Sequence, residues 1–154
     1  MKFAGELSVE APREEVFDRL KDAHFFACCV KGVRDLKELG PTTYSAQFET
    51  RIAYIKFNFD VTVEMTEAHR PVRIAARIEG KPHGIVGRLS ATSAADFHEN
   101  AGVTTIRYQV EATLTGRLGS IGQPVLKAKA KEMEREFVAN LRSGFLGGVE
   151  AVAP

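Results

Sequence analysis

The sequence predicts an α+β fold: a curved antiparallel sheet of about six to seven strands, wrapped around one long C-terminal helix, with two short helices after the first strand. Three observations predict it. Most of residues 43–114 alternate apolar and polar positions, the period of a half-buried strand. The alternating segments are joined by short turns, and short connections imply antiparallel neighbours. From Gly116 to Ser143 the period changes to steps of three and four, which places one apolar stripe on a helix of about 20 to 25 residues. Such a stripe needs a partner of similar length, and only the apolar face of the sheet is long enough to supply it.

The elements follow in order. Residues 2–10 alternate, with Phe3, Gly5, Leu7 and Val9 on one side, and Ala11-Pro12 ends the strand. Arg13-Glu14-Glu15 is a charged first helical turn, and Val16, Phe17 and Leu20 mark a short helix over 13–21. His24 to Val30 reads as a second short helix closed by Gly32. Residues 33–39 form a short strand and Gly40-Pro41 a turn. Residues 43–52 carry Tyr44, Ala46, Phe48, Thr50 and Ile52 on one side. After a tight turn near Ala53, residues 55–66 give the cleanest alternation, with Ile55, Phe57, Phe59, Val61, Val63 and Met65 facing in. His69-Arg70-Pro71 turns the chain. Val72, Ile74, Ala76, Ile78 and Gly80 form the next inner face, and Lys81 to Gly84 the next turn. Residues 85–97 are phased with Ile85, Gly87, Leu89, Ala91 and Ser93 inward. His98 to Gly102 is a hairpin turn. Thr104, Ile106, Tyr108, Val110, Ala112 and Leu114 then face in. On the long helix, Leu118, Ile121, Val125 or Leu126, Ala130, Met133, Phe137 and Leu141 share the inner face. Pro124 cannot donate an intrahelical bond, so the main helix is expected to start there, with Pro124 at its first position. A short lead-in at 117–122 with a bend at the proline is the alternative. Residues 1–146 make one domain and 147–154 a short flexible tail.

Composition narrows the function classes. The chain has 154 residues, 44% apolar and 27% charged, with a net charge of +1, an ordinary globular balance with no global field to gather nucleic acid. No apolar run reaches the roughly 18 residues that a membrane span requires. The N-terminus alternates and contains Glu6 and Glu10, unlike a signal peptide. The two cysteines, Cys28 and Cys29, are adjacent and form no metal or redox spacing. They are expected as a buried thiol pair, and a cytoplasmic location fits them best. His24, His69, His83 and His98 are scattered, three of them on turns, so no metal site is expected. No nucleophile elbow, zinc helix or phosphate loop occurs. Gly116, Gly119 and Gly122 lack the flanking pattern of a dinucleotide fingerprint.

A sheet wrapped around a helix leaves space between them, and apolar walls favour an apolar ligand. Side chains that fill the space are the alternative. The candidate ligand-binding residues are Phe48, Phe57, Phe59, Val61 and Val63 on the long hairpin, with Ile74, Ala76 and Ile78 on the next strand. Leu89, Ala91, Tyr108 and Val110 follow on the last two strands, and Leu126, Met133 and Phe137 on the helix. Tyr44 and Tyr108 are the inward groups able to hydrogen-bond a ligand carbonyl. The acidic residues of the strands face outward, so no catalytic carboxylate pair is indicated. Lys127, Lys131 and Arg135 form a row on the helix that is solvated by default and otherwise a docking flank for an acidic partner or anionic lipid.

These residues also carry a resemblance. Met1-Lys2-Phe3-x-Gly5-Glu6 with Ala11-Pro12-Arg13-Glu14-x-Val16 resembles the opening of the CoxG family of carbon monoxide dehydrogenase subunits. That family belongs to the START-like (SRPBCC, polyketide cyclase-like) superfamily. Ala27-Cys28 followed by Gly32, then Tyr44-x-Ala46, is similar in order and spacing. So is Gly116-Arg117-Leu118-x-x-Ile121-Gly122 leading to Phe137-x-x-Asn140-Leu141. The resemblance covers roughly residues 1–143. It implies a helix-grip fold with an internal apolar cavity. It further implies a quinone- or lipid-like ligand, a molybdenum-containing dehydrogenase of the carbon monoxide type as partner, and at most peripheral contact with the inner face of a membrane. It implies no catalytic residue and no cofactor. Two departures stand out. Lys31 replaces the proline expected before Gly32. Phe57 and Val61 occupy a hairpin that is usually glycine-rich, which predicts a smaller or reshaped cavity. The first reading is therefore a non-enzymatic binding protein for a hydrophobic small molecule. The alternatives are a cyclase- or hydratase-type enzyme working through Tyr108 and Tyr44, or an adaptor with a filled core acting through its helix surface.

Overall fold

The structure, a computed structural model, describes residues 1–152, with side chains through Phe145. The side chains of the expected tail 147–154 lie outside the described residues. Strand β1 (Lys2–Val9) is followed by helices α1 (Arg13–Lys21) and α2 (Ala23–Cys29), then by β2 (Val33–Glu38), β3 (Thr43–Ile52), β4 (Ile55–His69), β5 (Arg73–Pro82), β6 (Gly87–Asn100) and β7 (Val103–Gly116). A 3₁₀ turn, Arg117–Ser120, leads into helix α3, Gln123–Val152. The seven strands form one antiparallel sheet in the order β1-β7-β6-β5-β4-β3-β2. Sequential strands are neighbours from β2 to β7, as hairpin connections require. The long excursion through α1 and α2 carries the chain from β1 at one edge to β2 at the other.

The register agrees with the alternation across the sheet. Gly5 lies opposite Tyr108, Tyr108 opposite Ala95, and Ala95 opposite Ile74. Farther along, Val110 pairs with Ser93, Ser93 with Ala76, and Ala76 with Met65. Directly opposed residues share a face, so the apolar sets of these strands line a single inner face, except that Ile55 and Val72, expected inward, are exposed at 55% and 43% beside the turns where their strands begin. Strand β4 exceeds the expected 55–66 by three residues, because a bulge between Met65 and Glu67 restores its pairing with the start of β5.

Local signals account for the helix ends. The Asp22 carboxylate accepts from the backbone N–H groups of His24 and Phe25 and starts α2. Gly32 follows α2 at φ +93°; its carbonyl accepts from the Glu49 N–H at 3.0 Å, and a Cβ there would collide with the Glu49 carbonyl, so the α2–β2 connection approaches β3 closely. In α3, Leu126 N–H bonds the Gly122 carbonyl at 3.1 Å, so the helix begins at Gln123, one residue before the expected Pro124. Pro124 has no N–H to lose in the first turn; the lead-in of the alternative is present as the 3₁₀ turn Arg117–Ser120, but only Gln123 of the helix precedes the proline, so there is no helix to bend there. Of the two candidates for the inward position, Leu126 is buried at 9% exposure and Val125 is exposed at 38%. The thiol pair is corrected: Cys29 is buried, but Cys28 faces solvent, since adjacent residues on a helix point about 100° apart.

Packing is concentrated in two places. One cluster joins β1, α1, α2, β6, β7 and α3 through Leu7, Val16, Phe17, Cys29, Phe97, Ile106 and Leu141. Phe17 and Phe97 meet edge to face at 5.5 Å. The other cluster, at the opposite end of the sheet, joins Ile52, Phe57, Phe59 and Leu118. Leu118, on the 3₁₀ turn, is 1% exposed and closes that end. Helix α3 comes closest to α2, β1 and β3 and so crosses the sheet from edge to edge over the central strands.

Candidate functional site

The two clusters do not meet. Between them the inner face carries Val63, Ala76, Ile78, Leu89 and Val110, with Met133 on α3 facing the same region. All six are only half-buried although they face inward. Apolar residues in a packed interior are normally buried. Their partial exposure leaves an apolar strip on the inner face, over the middle of β4–β7, that neither packed cluster covers.

The candidate lining residues divide accordingly. Phe48, Phe57 and Phe59 stack in sequence, with ring centroids 6.2 and 6.0 Å apart. Phe57 and Phe59 are each 4% exposed, and Val61 packs beside them. This end is solid, and the bulky hairpin residues fill it. Leu126 is buried. At the opposite end Ile74, Tyr108 and Phe137 pack on the larger cluster, and Phe137 meets the Phe26 ring at 5.4 Å. Ala91 is buried on the sheet floor. Val63, Ala76, Ile78, Leu89, Val110 and Met133 remain half-buried between the two ends.

Polar groups enter from two directions. A cleft of about 450 Å³ opens between the α1–α2 junction and the β2–β3 turn, and Tyr44 and Met65, both on the inner face, line it. Burial pushes the Tyr44 phenol above its ordinary range, so near neutral pH it keeps its proton and can donate. The second group is one that sequence reasoning misses. Glu134 on α3 is half-buried and turned toward the sheet, where its carboxylate and the Tyr108 hydroxyl crowd over Gly5. A Cβ at Gly5 would collide with both. The sequence does hold a signal for it: Glu134 is flanked at four-residue steps by Ala130 and Val138, both half-buried on the inner side.

Structural roles explain other marked residues. The Asn140 side-chain amide donates to the Cys29 carbonyl at 3.1 Å and ties α3 to the end of α2. The Thr104 hydroxyl, fully buried, donates to the Ala11 carbonyl at 2.7 Å. Lys127, Lys131 and Arg135 are exposed. A depression of about 540 Å³ lies mainly on the outer face of the sheet, around Ala75 and Ala94. Its arginines are committed to neighbours, Arg73 to Asp96 at 3.0 Å and Arg77 to Glu64 at 2.8 Å, so it offers no free charge from them. Among the described residues, no three His, Cys, Asp or Glu side chains come together as a metal site. No helix among them is long and apolar enough to cross a membrane.

Solved structures show the same architecture. A conserved protein from Geobacillus kaustophilus superposes with a TM-score of 0.87 over 96% of each chain, at 24% identity. A START superfamily protein from Mycobacterium smegmatis gives 0.72 over 98% of each chain, at 12% identity. The Zhui aromatase/cyclase from Streptomyces sp. R1128 gives 0.69 over 94% of this chain and 92% of its own, at 12% identity. At these identities the likeness establishes the fold, which is the START-like helix-grip fold. No curated protein sequence matches. The sequence model of the CoxG family, a family of carbon monoxide dehydrogenase subunits, matches residues 5–145, nearly the whole chain. The chain therefore belongs to the CoxG family of carbon monoxide dehydrogenase subunits.

Proposed function

We propose that the protein is a non-enzymatic carrier that holds a hydrophobic small molecule, quinone- or lipid-like, between the sheet and α3. One observation carries the reading: an inward apolar wall left half-buried between two packed ends. Covering that wall with an apolar ligand gains about 25 cal/mol for each Å² removed from water. Family membership supports the partner, a molybdenum-containing dehydrogenase of the carbon monoxide type, to which the ligand would be delivered. The lipid-phase source of such a ligand is reached by peripheral contact from the inner side of a membrane. The tips of the β3–β4 and β5–β6 hairpins suit this role, since they expose Tyr54 at 97% and Val86 at 79% at the same end of the sheet. Exposed Arg51 and Arg88 flank them in sequence, and basic residues beside apolar tips favour an anionic surface.

The test is native mass spectrometry of the protein isolated from its own source, followed by solvent extraction. A bound quinone or lipid at one equivalent is expected, and Ala76→Trp is expected to lose it while keeping the folded circular dichroism spectrum. An empty protein that also ignores added quinones would overturn the carrier reading and favour an adaptor acting through Lys127, Lys131 and Arg135.

A further inference from the structure

We infer that the cleft between the α1–α2 junction and the β2–β3 turn is a head-group subsite, in which the Tyr44 hydroxyl donates to a carbonyl oxygen of a ligand whose apolar body lies along the half-buried strip. The inference rests on the carrier reading and specifies how its quinone-like ligand is oriented.

Strand register joins the cleft to the strip. Tyr44 on β3 lies directly opposite Val63 on β4, and Met65, two residues farther along β4, lies opposite Ala76 on β5. Tyr44 and Met65 line the cleft of about 450 Å³, while Val63 and Ala76 belong to the strip. Directly opposed side chains stand about 4.5–5.5 Å apart. A molecule lying against Val63 and Ala76 therefore touches the inner wall of the cleft as well. From Met65 the inner face continues through Ala76 and Ser93 to Val110. Those three strand spacings give about 14 Å for an apolar body.

The acceptors around the cleft are engaged within the protein, and the phenol is not. The Asp22 carboxylate accepts from the His24 and Phe25 N–H groups. Glu38, directly opposite Tyr44 on β2, turns its carboxylate to His24 Nε2 at 3.7 Å. The Thr42 carbonyl accepts from the Met65 N–H, and the Thr43 carbonyl from those of Leu39 and Gly40. Among the described residues no hydrogen bond engages the Tyr44 hydroxyl, and burial holds its proton in place. A quinone, ketone or ester carbonyl supplies the missing acceptor. A hydrocarbon of the same shape covers the hydroxyl and leaves it unpaired, which is costly. The cleft therefore orients a carbonyl-headed molecule with its oxygen at Tyr44 and its apolar body on the strip.

The experiment measures binding of para-heptylacetophenone and para-heptylcumene to the full chain by equilibrium dialysis. The two probes share a shape and differ in the carbonyl oxygen. Tyr44→Phe is expected to weaken the ketone about three- to tenfold, the range of a neutral hydrogen bond, and to leave the hydrocarbon within about twofold. The infrared carbonyl band of the bound ketone is expected to rise in wavenumber in the same variant, as loss of a hydrogen bond requires. Thr42→Trp, at an exposed turn position on the cleft, is expected to fill the cleft and weaken both probes. It carries the test if Tyr44→Phe does not fold. An unchanged ketone affinity and carbonyl band in Tyr44→Phe, or an equal loss of both probes, would overturn the subsite and leave the carrier reading standing. So would full affinity for both probes in Thr42→Trp. Binding of neither probe by the wild-type protein would overturn both.

Discussion

Replacing Ala76 by leucine separates an unfilled interior from a packed one by the sign of a stability change. Ala76 faces inward from β5, opposite Met65 on β4 and Ser93 on β6, and is half-buried. The substitution adds an isobutyl group in place of a methyl, three carbons, whose full burial is worth about 2 kcal/mol at roughly 0.8 kcal/mol each. The surroundings are partly open, so about half of that, near 1 kcal/mol of stabilisation, is the expected gain. In a close-packed core the same insertion would cost about 1–3 kcal/mol through forced rotamers and backbone shifts. Ala91 supplies the internal control. It lies on the same face but is buried between Ile78 and Ala112, so Ala91→Leu is expected to fall in the destabilising range. The assay is urea unfolding with a constant slope, read as a shift of midpoint. Added bulk at position 76 also competes with ligand, so affinity should fall as stability rises. A loss of about 1 kcal/mol or more in Ala76→Leu, matching Ala91→Leu, would refute the reasoning and return the interior to a solid core.

Other expectations follow from single contacts. Thr104→Val keeps the shape but strands the buried Ala11 carbonyl, at a cost of about 1–3 kcal/mol in the same unfolding assay. The two thiols should separate kinetically. Exposed Cys28 is expected to react promptly with a thiol reagent near pH 8, while Cys29, buried and pushed up to about 11 by desolvation and then by its neighbour, reacts only as the protein opens. Alkylation monitored by mass should show one fast addition and one slow. The Asp18 carboxylate is held below its ordinary range by its hydrogen bonds to Arg70, at 2.8 and 2.9 Å. Its contribution is present above the ordinary aspartate pKa and is lost as pH falls through the depressed one. Thermal scans should show the wild-type advantage over Asp18→Asn shrinking across that acid window and unchanged above it.

How much is legible in the sequence depends on the range of the interaction. Alternation is a local property. It assigns the inner face of β1 and β3–β7, and the register from Phe3–Val110 to Phe48–Phe59 agrees with it. The three-four period likewise locates the inward stripe of α3. It leaves Val125 against Leu126 open because both lie near the stripe, and the neighbouring turn decides between them. Glu134 escapes for a different reason. A charged residue on a helix is normally solvated, and only the tertiary approach of α3 to Gly5 turns this one inward. The exposure of Cys28 and the division of the lining residues also depend on contacts far apart in sequence. Phe57 and Val63 are indistinguishable in the alternation, yet one is buried in the cluster with Leu118 and the other stays half-buried outside both clusters. Which end a residue belongs to is set by where the long helix crosses the sheet, and no local pattern encodes that.

A divided core would also reconcile stability with the space the carrier reading requires. Each end of the helix unit is fixed by contacts that omit the middle. At one end Leu118 and the stacked Phe48, Phe59 and Phe57 hold the lead-in turn against the long hairpin. At the other, Leu141 is fully buried, Phe137 packs on Phe26, and Asn140 is hydrogen-bonded to the end of α2. A helix pinned at two separated points spans the region between them without needing side chains to fill it. Removing apolar bulk from either end should therefore loosen the fold, as Leu141→Ala would by about 2–5 kcal/mol. Changes along Val63, Ile78 and Val110 should instead alter what is bound. The two effects add independently only if the ends and the middle do not share contacts. A double variant combining Leu141→Ala with Ala76→Leu should accordingly show the sum of its single effects within about 0.5 kcal/mol, and a larger coupling would mean that the middle is packed into the end after all.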